Sequence, residues 1–280
     1  MKKKNLWLVV LMLSIALLAV GCGSAEKEKP AATPEPAKQA EKNTWELVKE
    51  KGVLVAGLDD TFAPMGYRDE KTNELIGFDI DMAEELGKRL GVKIQWQPTQ
   101  WDGVILALDS KRFDVIISGM TVTEERKKSI NFSIPYINDG LVMVVKKGTT
   151  GFNTAEDLKG KVVGTQAGSS GEEALKKMQG LKETKLYKTF PDAFNDLQIG
   201  RIPVVVVDAM TAGHYLSKRP GVFEVVGEQL TKEPMAIGIR KTDVELKEAI
   251  DKAIAEMQKD GTLTRISMKW FQKDITTKAE

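Results

Sequence analysis

The sequence predicts an α/β protein long enough for two lobes, and three observations carry that expectation. The chain has 280 residues, enough for two separate hydrophobic cores. Short apolar runs, among them Val53–Leu58, Phe113–Ile117, Leu141–Lys146 and Val204–Val207, alternate with segments whose apolar residues recur at helical spacing. Such alternation belongs to strand–helix units. The pattern is interrupted at Asn138-Asp139-Gly140 and again near Thr231-Lys232-Glu233-Pro234.

The N-terminus reads differently from the rest. Met1-Lys2-Lys3-Lys4-Asn5 is basic, and the apolar run Leu6–Val20 behind it is too short and wrongly flanked for a stable membrane span, so it is read as an export signal. The run closes on Leu18-Ala19-Val20-Gly21-Cys22, which resembles a bacterial lipobox with Ala19 where Leu is usual. Cys22 is the only cysteine, so it has no intramolecular disulfide partner and is the expected attachment point for lipid, palmitate included. One acyl chain anchors weakly, so stable anchoring implies several. Residues 23–43 are mostly Ser, Ala, Glu, Lys, Pro, Thr and Gln without an apolar period, the composition of a flexible tether. The expected location is therefore extracytoplasmic, on the outer face of a bacterial cell membrane.

The folded part opens with a short amphipathic helix, Trp45–Lys51, ended by Gly52. Strand Val53–Leu58 then delivers Asp59 and Phe62 into a loop at its C-terminal end, where open α/β sheets bind ligands. Asp59 either faces a pocket or caps a turn; Phe62 either lines that pocket or plugs the core. Apolar Ile80, Ala83, Leu86 and Leu90 mark a helix with Asp79 placed to cap it, and acidic Asp79 and Asp81 suit its positive end better than an acid/base pair. After strand Val92–Trp96, Trp101 precedes the helix Val104–Lys111 in the same topological position as Phe62. Two rings on neighbouring loops can hold a side chain between them by apolar or cation–π contact, or either can be core.

Ser118-Gly119-Met120-Thr121-Val122-Thr123-Glu124-Glu125-Arg126 follows the strand Phe113–Ile117. Thr123 reads as an N-cap with acidic residues in the first turn behind it. Helical side chains lean towards the N-terminus, so the Arg126 guanidinium can lie over the strand-to-helix loop beside the Thr121 hydroxyl and the loop's free N–H groups. A guanidinium accepts a carboxylate through two parallel hydrogen bonds, so this stretch has the parts of a carboxylate hook. The alternative is a well-capped helix whose Arg126 pairs with Glu125 or a neighbour.

Beyond strand Leu141–Lys146 and the loop and short helix Gly151–Leu158, Lys161–Gln166 reads as a strand. Its small-residue loop Ala167–Gly171 opens a helix and exposes N–H groups able to take an anion, but it lacks the lysine and spacing of a nucleotide loop. Lys185–Phe190 reads as a strand, Asp192–Gly200 as a helix, and Val204–Val207 as a buried strand tipped by Asp208. That aspartate is a ligand group or the N-cap of the helix Ala209–Leu216. Strands Phe223–Val226 and Ala236–Arg240 and helices Val244–Lys259 and Leu263–Phe271 complete the chain.

Five blocks together resemble the bacterial extracellular solute-binding proteins of family 3, the polar amino-acid receptors of ABC importers. They are Gly77–Met82, Thr121–Arg126 with Phe132–Tyr136, Gln166–Ser170, Val207-Asp208, and Asp260–Thr262 with Lys269–Phe271, spread over about residues 44–275. The resemblance implies a two-lobed periplasmic-binding-protein-like fold of type II with two crossover hinge strands. Lobe 1 would be 44–137 with 235–280, and lobe 2 would be 138–234. It also implies that Arg126 and Thr121 hold a ligand α-carboxylate, helped by the N–H of Ser169 or Ser170. The Gly119 carbonyl, the Thr121 hydroxyl and Asp208 would hold the α-ammonium, and Asp59, Phe62 and Trp101 would form a side-chain compartment, with Ser118 in the same loop. Some relatives carry Ser where this chain has Gly119, and Asp where it has Pro203.

The implied function is capture of an L-amino acid, basic or polar, and delivery to ABC transporter permease subunits by a monomer without cofactor or metal. A dehydratase of the cyclohexadienyl type on the same fold and a ligand-sensing lipoprotein are the alternatives. Against an enzyme, the single histidine, His214, falls on a helix after Asp208, and no metal-ligand cluster is present in the sequence. Lys and Arg number 41 against 40 Asp and Glu, which removes any composition argument for nucleic acid.

Overall fold

The computed structural model describes residues 42–278; the expected export signal, Cys22 and the expected tether as far as residue 41 lie outside the described residues. Helix α1 (Thr44–Lys51) starts from a capping box: the Asn43 carboxamide accepts the Glu46 N–H, and the Glu46 carboxylate accepts the Asn43 N–H. Asn43, placed above in the tether, caps this helix, and Lys42 before it pairs with Glu50 at 2.7 Å.

Strand β1 (Val53–Leu58) is followed by a small antiparallel sheet of β2 (Thr61–Phe62), β3 (Gly66–Arg68) and β4 (Leu75–Ile76). Helix α2 (Phe78–Leu90) buries Ile80, Met82, Ala83 and Leu86 on one face and ends at Gly91 in the left-handed conformation. Its N-cap is Gly77, so Asp79 does not cap it as expected. Next come β5 (Lys93–Pro98), a 3₁₀ turn at Trp101–Gly103, α3 (Val104–Asp109), β6 (Val115–Ile116), α4 (Glu124–Ser129) and β7 (Ile130–Phe132). Strand β8 (Ile137–Asp139) then leaves the first lobe.

The second lobe contains β9 (Leu141–Lys146), β10 (Val162–Gln166), α5 (Ser170–Lys177), β11 (Glu183–Tyr187), α6 (Phe190–Gln198), β12 (Val204–Asp208), α7 (Ala209–Lys218) and β13 (Phe223–Val226). The strand expected to reach Phe190 stops at Tyr187, because Thr189 caps a helix by accepting the Asp192 N–H, with Pro191 in its first turn. Strand β14 (Glu233–Met235) returns to the first lobe, which is completed by β15 (Gly238–Arg240), α8 (Val244–Lys259) and α9 (Thr262–Phe271).

Each lobe is built on one mixed sheet. The first has the order β5-β1-β6-β15-β7, with β1 parallel to β5 and β6 and with β15 antiparallel to β6 and β7. The second has the order β11-β10-β12-β9-β13, with β10 parallel to β11 and β12 and β9 antiparallel to β12. Period-two alternation explains the unbroken apolar runs. Leu141, Met143, Val145, Val204 and Val206 feed the core on one face of the second sheet. Val142, Val144, Val205 and Val207 meet Phe190, Phe194 and Tyr215 on the other. The two crossing strands β8 and β14 pair antiparallel, with Glu233 directly opposite Asp139.

Candidate functional site

The C-terminal ends of β1, β6, β10 and β12 deliver Asp59, the loop Ser118–Thr121, Gln166 and Asp208 to the cleft between the lobes. Phe62, Trp101, Gly119, Thr121 and Arg126 from the first lobe and Gln166, Ser169, Ser170, Phe190 and Asp208 from the second line one cavity there. It measures about 260 Å³, and the lobes are bridged around it by hydrogen bonds from Trp101 and Arg126 to the Gly168 carbonyl and from Gln166 to Asp59. The cleft is shut.

Arg126 stands three residues into the capped turn: Thr123 Oγ1 accepts its N–H at 3.2 Å, as the capping pattern requires. The guanidinium is 5% exposed. Its Nη1 donates to the Thr121 carbonyl at 2.8 Å, where the hydroxyl was the expected neighbour, and its Nη2 donates across the cleft to the Gly168 carbonyl at 2.9 Å. The Trp101 ring lies 5.4 Å from it, and Glu173 of the second lobe is 3.7 Å from Nε. Burial pulls its pKa down while Glu173, Asp208 and Glu233 oppose that, and an arginine stays charged. It is a desolvated cation with no close bidentate carboxylate partner.

Asp208 is its counterpart in the second lobe. It occupies the N-cap position of α7 but its side chain makes no capping bond. Burial pushes its carboxyl well above the usual range, repulsion from Asp139 and Glu233 adds to the rise, and Arg126 opposes it. The Thr121 and Ser170 hydroxyls stand 3.5 Å apart between these groups. Ser169 caps α5, accepting the Glu172 N–H at 3.2 Å, so the positive end of that helix opens on the cavity.

The side-chain end is arranged differently from the pairing of Phe62 with Trp101. Both rings line the cavity, but the ring stacked on Phe62 is Phe190 from the second lobe, with centroids 5.8 Å apart. The Trp101 indole N–H donates to the Gly168 carbonyl at 3.1 Å. Asp59 is buried without lining the cavity: Oδ1 accepts from Thr61 N and Oγ1, and Oδ2 accepts from Gln166 Nε2 of the other lobe at 2.6 Å. Burial raises its pKa despite those bonds. Ser118 lies behind it, its hydroxyl accepting the Asp59 N–H at 3.1 Å.

Gln166, Phe190 and Asp79 were not singled out in the sequence as site residues. Gln166 stood within a recognised block at the end of a strand, which was the available signal. Phe190 opens a helix where the sequence pattern reads as strand, so nothing local marks it as a cleft residue. Asp79 accepts the Gly119 N–H at 2.6 Å and the Tyr136 hydroxyl at 2.9 Å, fixing the loop behind the cavity. That loop is also tied to the second crossing, since Val122 N donates to Pro234 O and Ala236 N to Met120 O.

His214 lies outside this cavity, half-buried against Tyr67 with ring centroids 5.2 Å apart. Burial and Lys218 push its pKa down to about 4, so it is neutral at ordinary pH. Among the described residues no group of three or more His, Cys, Asp or Glu is placed to hold a metal.

Two mixed-sheet lobes joined by a pair of crossing strands, with a buried cation and a buried carboxyl from opposite lobes facing one cavity, define a solute-binding protein. The comparisons make the class specific. The model of the bacterial extracellular solute-binding proteins, family 3, matches residues 54–273, and this chain belongs to that family. L-cystine-binding protein TcyJ of Escherichia coli (strain K12) is 41% identical over 239 residues, 85% of this chain and 89% of that protein. An ancestral arginine-binding protein bound to arginine superposes with a TM-score of 0.75 at 46% identity, over 79% of this chain and 98% of that one. An ABC uptake transporter substrate-binding protein from Streptococcus pneumoniae with bound histidine gives 0.78 at 36% identity, over 84% and 99%. These relatives are binding proteins, and the fold is their type II periplasmic-binding-protein fold.

Proposed function

We propose that this chain is the extracytoplasmic receptor of an ABC importer, tethered through lipid on Cys22, which encloses an L-amino acid, basic or polar, between residues 44–137 with 235–280 and residues 138–234 and passes it to the permease. The observation that carries this reading is the placement of Arg126 and Asp208, buried in opposite lobes and facing one cavity. A buried zwitterion must have both charges matched, because either alone costs far more than one hydrogen bond returns. Arg126, with the Thr121 hydroxyl and the N-terminus of α5 at Ser169 and Ser170, takes the carboxylate. Asp208, with the Gly119 carbonyl, takes the ammonium. Phe62, Trp101, Phe190 and Gln166 surround the side chain, with Asp59 behind them. Only the shut cleft satisfies both charges, so ligand shifts the population toward closure.

An enzymatic reading has less support, since the lining of the cavity contains neither histidine nor cysteine to act as base or nucleophile. The test is isothermal titration of the purified protein, unfolded and refolded to remove carried-over ligand, against the common L-amino acids, ornithine and cystine. The expected result is binding of one chemical class at about micromolar or better, about 8 kcal/mol. Arg126→Ala should weaken every such ligand by about 3 kcal/mol or more, roughly a hundredfold, because it leaves a carboxylate buried without its partner. Loss of one ligand alone would contradict its role as the common hook.

A further inference from the structure

Where α4 of the first lobe meets the start of α5 in the second, Arg126 and Trp101 form a wall with two sides. On one side they line the cavity; on the other they line a groove shared with Asp102, Glu125 and Glu173. Glu173 lines the groove and not the cavity. The contacts across this edge converge on two points of the second lobe. One is the Gly168 carbonyl, which accepts both the Trp101 indole N–H and Arg126 Nη2, while the Gly168 N–H donates to the Glu172 carboxylate at 2.6 Å. Gly168 has φ of 75°, and a Cβ on it would stand 3.0 Å from Asp102 Cα, so glycine alone lets the lobes approach this closely. The other point is Glu173, which lies 3.7 Å from Arg126 Nε and accepts the Thr123 hydroxyl at 3.3 Å.

The Thr123 hydroxyl accepts the Arg126 N–H as well as donating to Glu173, so the cap that starts α4 also joins the lobes. A guanidinium has five N–H groups. One on Nη1 goes to the Thr121 carbonyl, one on Nη2 goes to Gly168, and the one on Nε faces Glu173. One N–H is left on each Nη, the pair that can take a carboxylate through two parallel bonds. Shutting the cleft withdraws Arg126 from water, and a buried cation without a countercharge is strongly unfavourable. Of the carboxylates that offset this burial, Glu173 acts most strongly, ahead of Asp208 and Glu233.

We infer that Glu173 is a positioning residue of the receptor: it turns the Arg126 guanidinium so that the free N–H on each Nη meets the ligand, and it supplies the countercharge that lets the lobes close. This rests on the reading of the cavity given above. Glu173 acts through Arg126 and Thr123 rather than on the ligand, and an amino-acid head carries no net charge for it to attract or repel. Its effect is therefore common to all amino acids. It changes the fraction of protein in the closed state, and apparent affinity follows that fraction.

The experiment compares the wild type with Glu173→Gln and with Glu124→Gln, which removes the same charge from an exposed residue already paired with Lys127. Titrations and stopped-flow dissociation rates with L-arginine, L-glutamine and L-cystine read binding. Closure of the ligand-free protein is read from the distance between spin labels at two exposed positions, Ser110→Cys in the first lobe and Ile199→Cys in the second, in a Cys22→Ser chain. Glu173→Gln should speed dissociation and weaken every ligand the wild type binds by one common factor of roughly tenfold, with the order of preference unchanged. It should also move the label distances toward the open form, while Glu124→Gln matches the wild type; melting temperatures check that both variants fold. Loss of a single ligand, or a Glu173→Gln chain that dissociates and closes like the wild type, would overturn the inference. If the wild type bound none of the three, nor any common amino acid, the reading of the cavity would fail, and the label distances alone would decide whether Glu173 holds the lobes together.

Discussion

Gly119 has φ of 52°, and a Cβ added to it would stand 2.7 Å from Phe62 Cε1. Left-handed backbone disfavours any L side chain by about 1–2 kcal/mol, and the contact with a ring already stacked on Phe190 adds to that. A serine at this position is therefore incompatible with this placement of Phe62. Gly119→Ala should lower the melting temperature by several degrees, at about 2–4 °C per kcal/mol for a protein of this size. A thermal melt unchanged by the substitution would contradict that account. At this scale the sequence was informative about Arg126, because capping and helical geometry act locally. It was silent on Gln166 and Phe190 as partners of Asp59 and Phe62, since each of those contacts joins residues more than a hundred positions apart.

Among the elements, α2 carries more than its share of the core. Its Asp79 was assigned to the helix start on dipole grounds, but the side chain turns inward, wholly buried, to hold Gly119 and Tyr136. Burial is the larger influence and raises its pKa to about 7 in spite of the two donors. The sign of the consequence follows. A carboxyl raised in the folded state stabilises it fully below its ordinary value of 3.8, and that contribution is lost as pH rises through about 7. Asp79→Asn keeps both bonds, with Oδ1 accepting Gly119 N–H and Nδ2 donating to the Tyr136 oxygen, and cannot ionise. Urea unfolding should show wild type losing stability relative to the variant between about pH 4 and about pH 7; parallel curves would refute the buried charge. The longer strands and helices were legible because burial on both faces or one stripe sets the period of their residues. The sheet of β2, β3 and β4 was not, since strands of two or three residues are too short to show any period.

For the molecule as a whole, the crossing strands bring a second consequence of charge. Asp139 on β8 lies opposite Glu233 on β14, and both raise the pKa of Asp208, which Arg126 lowers. Burial takes Asp139 itself to about 6, eased by the N–H groups of Met210 and Gly140 and by Lys273, with Glu233 opposing. On the proposed reading, the ammonium of a bound amino acid favours the ionised form of these carboxyls, so binding should release the protons they hold in the free protein. Affinity should rise as pH increases through about 6, and titrations in buffers of different ionisation enthalpy should report net proton release. Asp139→Asn, by removing one negative neighbour, should shift that release to lower pH. Zero proton exchange across that range would exclude the linkage.

The sheet order of the first lobe also governs how the chain can be assembled in time. Strand β15 lies between β6 and β7, yet it follows β7 by more than a hundred residues, with all of β9 to β13 intervening. A chain emerging from its N-terminus can complete the contiguous second sheet while β6 and β7 still wait as unpaired edges. The part made first is thus the part finished last. Folding of the first lobe is limited by a long-range closure, and the exposed edges are its aggregation-prone interval. A chaperone that shields those two short edges until Gly238–Arg240 arrives would raise the yield of native protein more than one acting on any other segment.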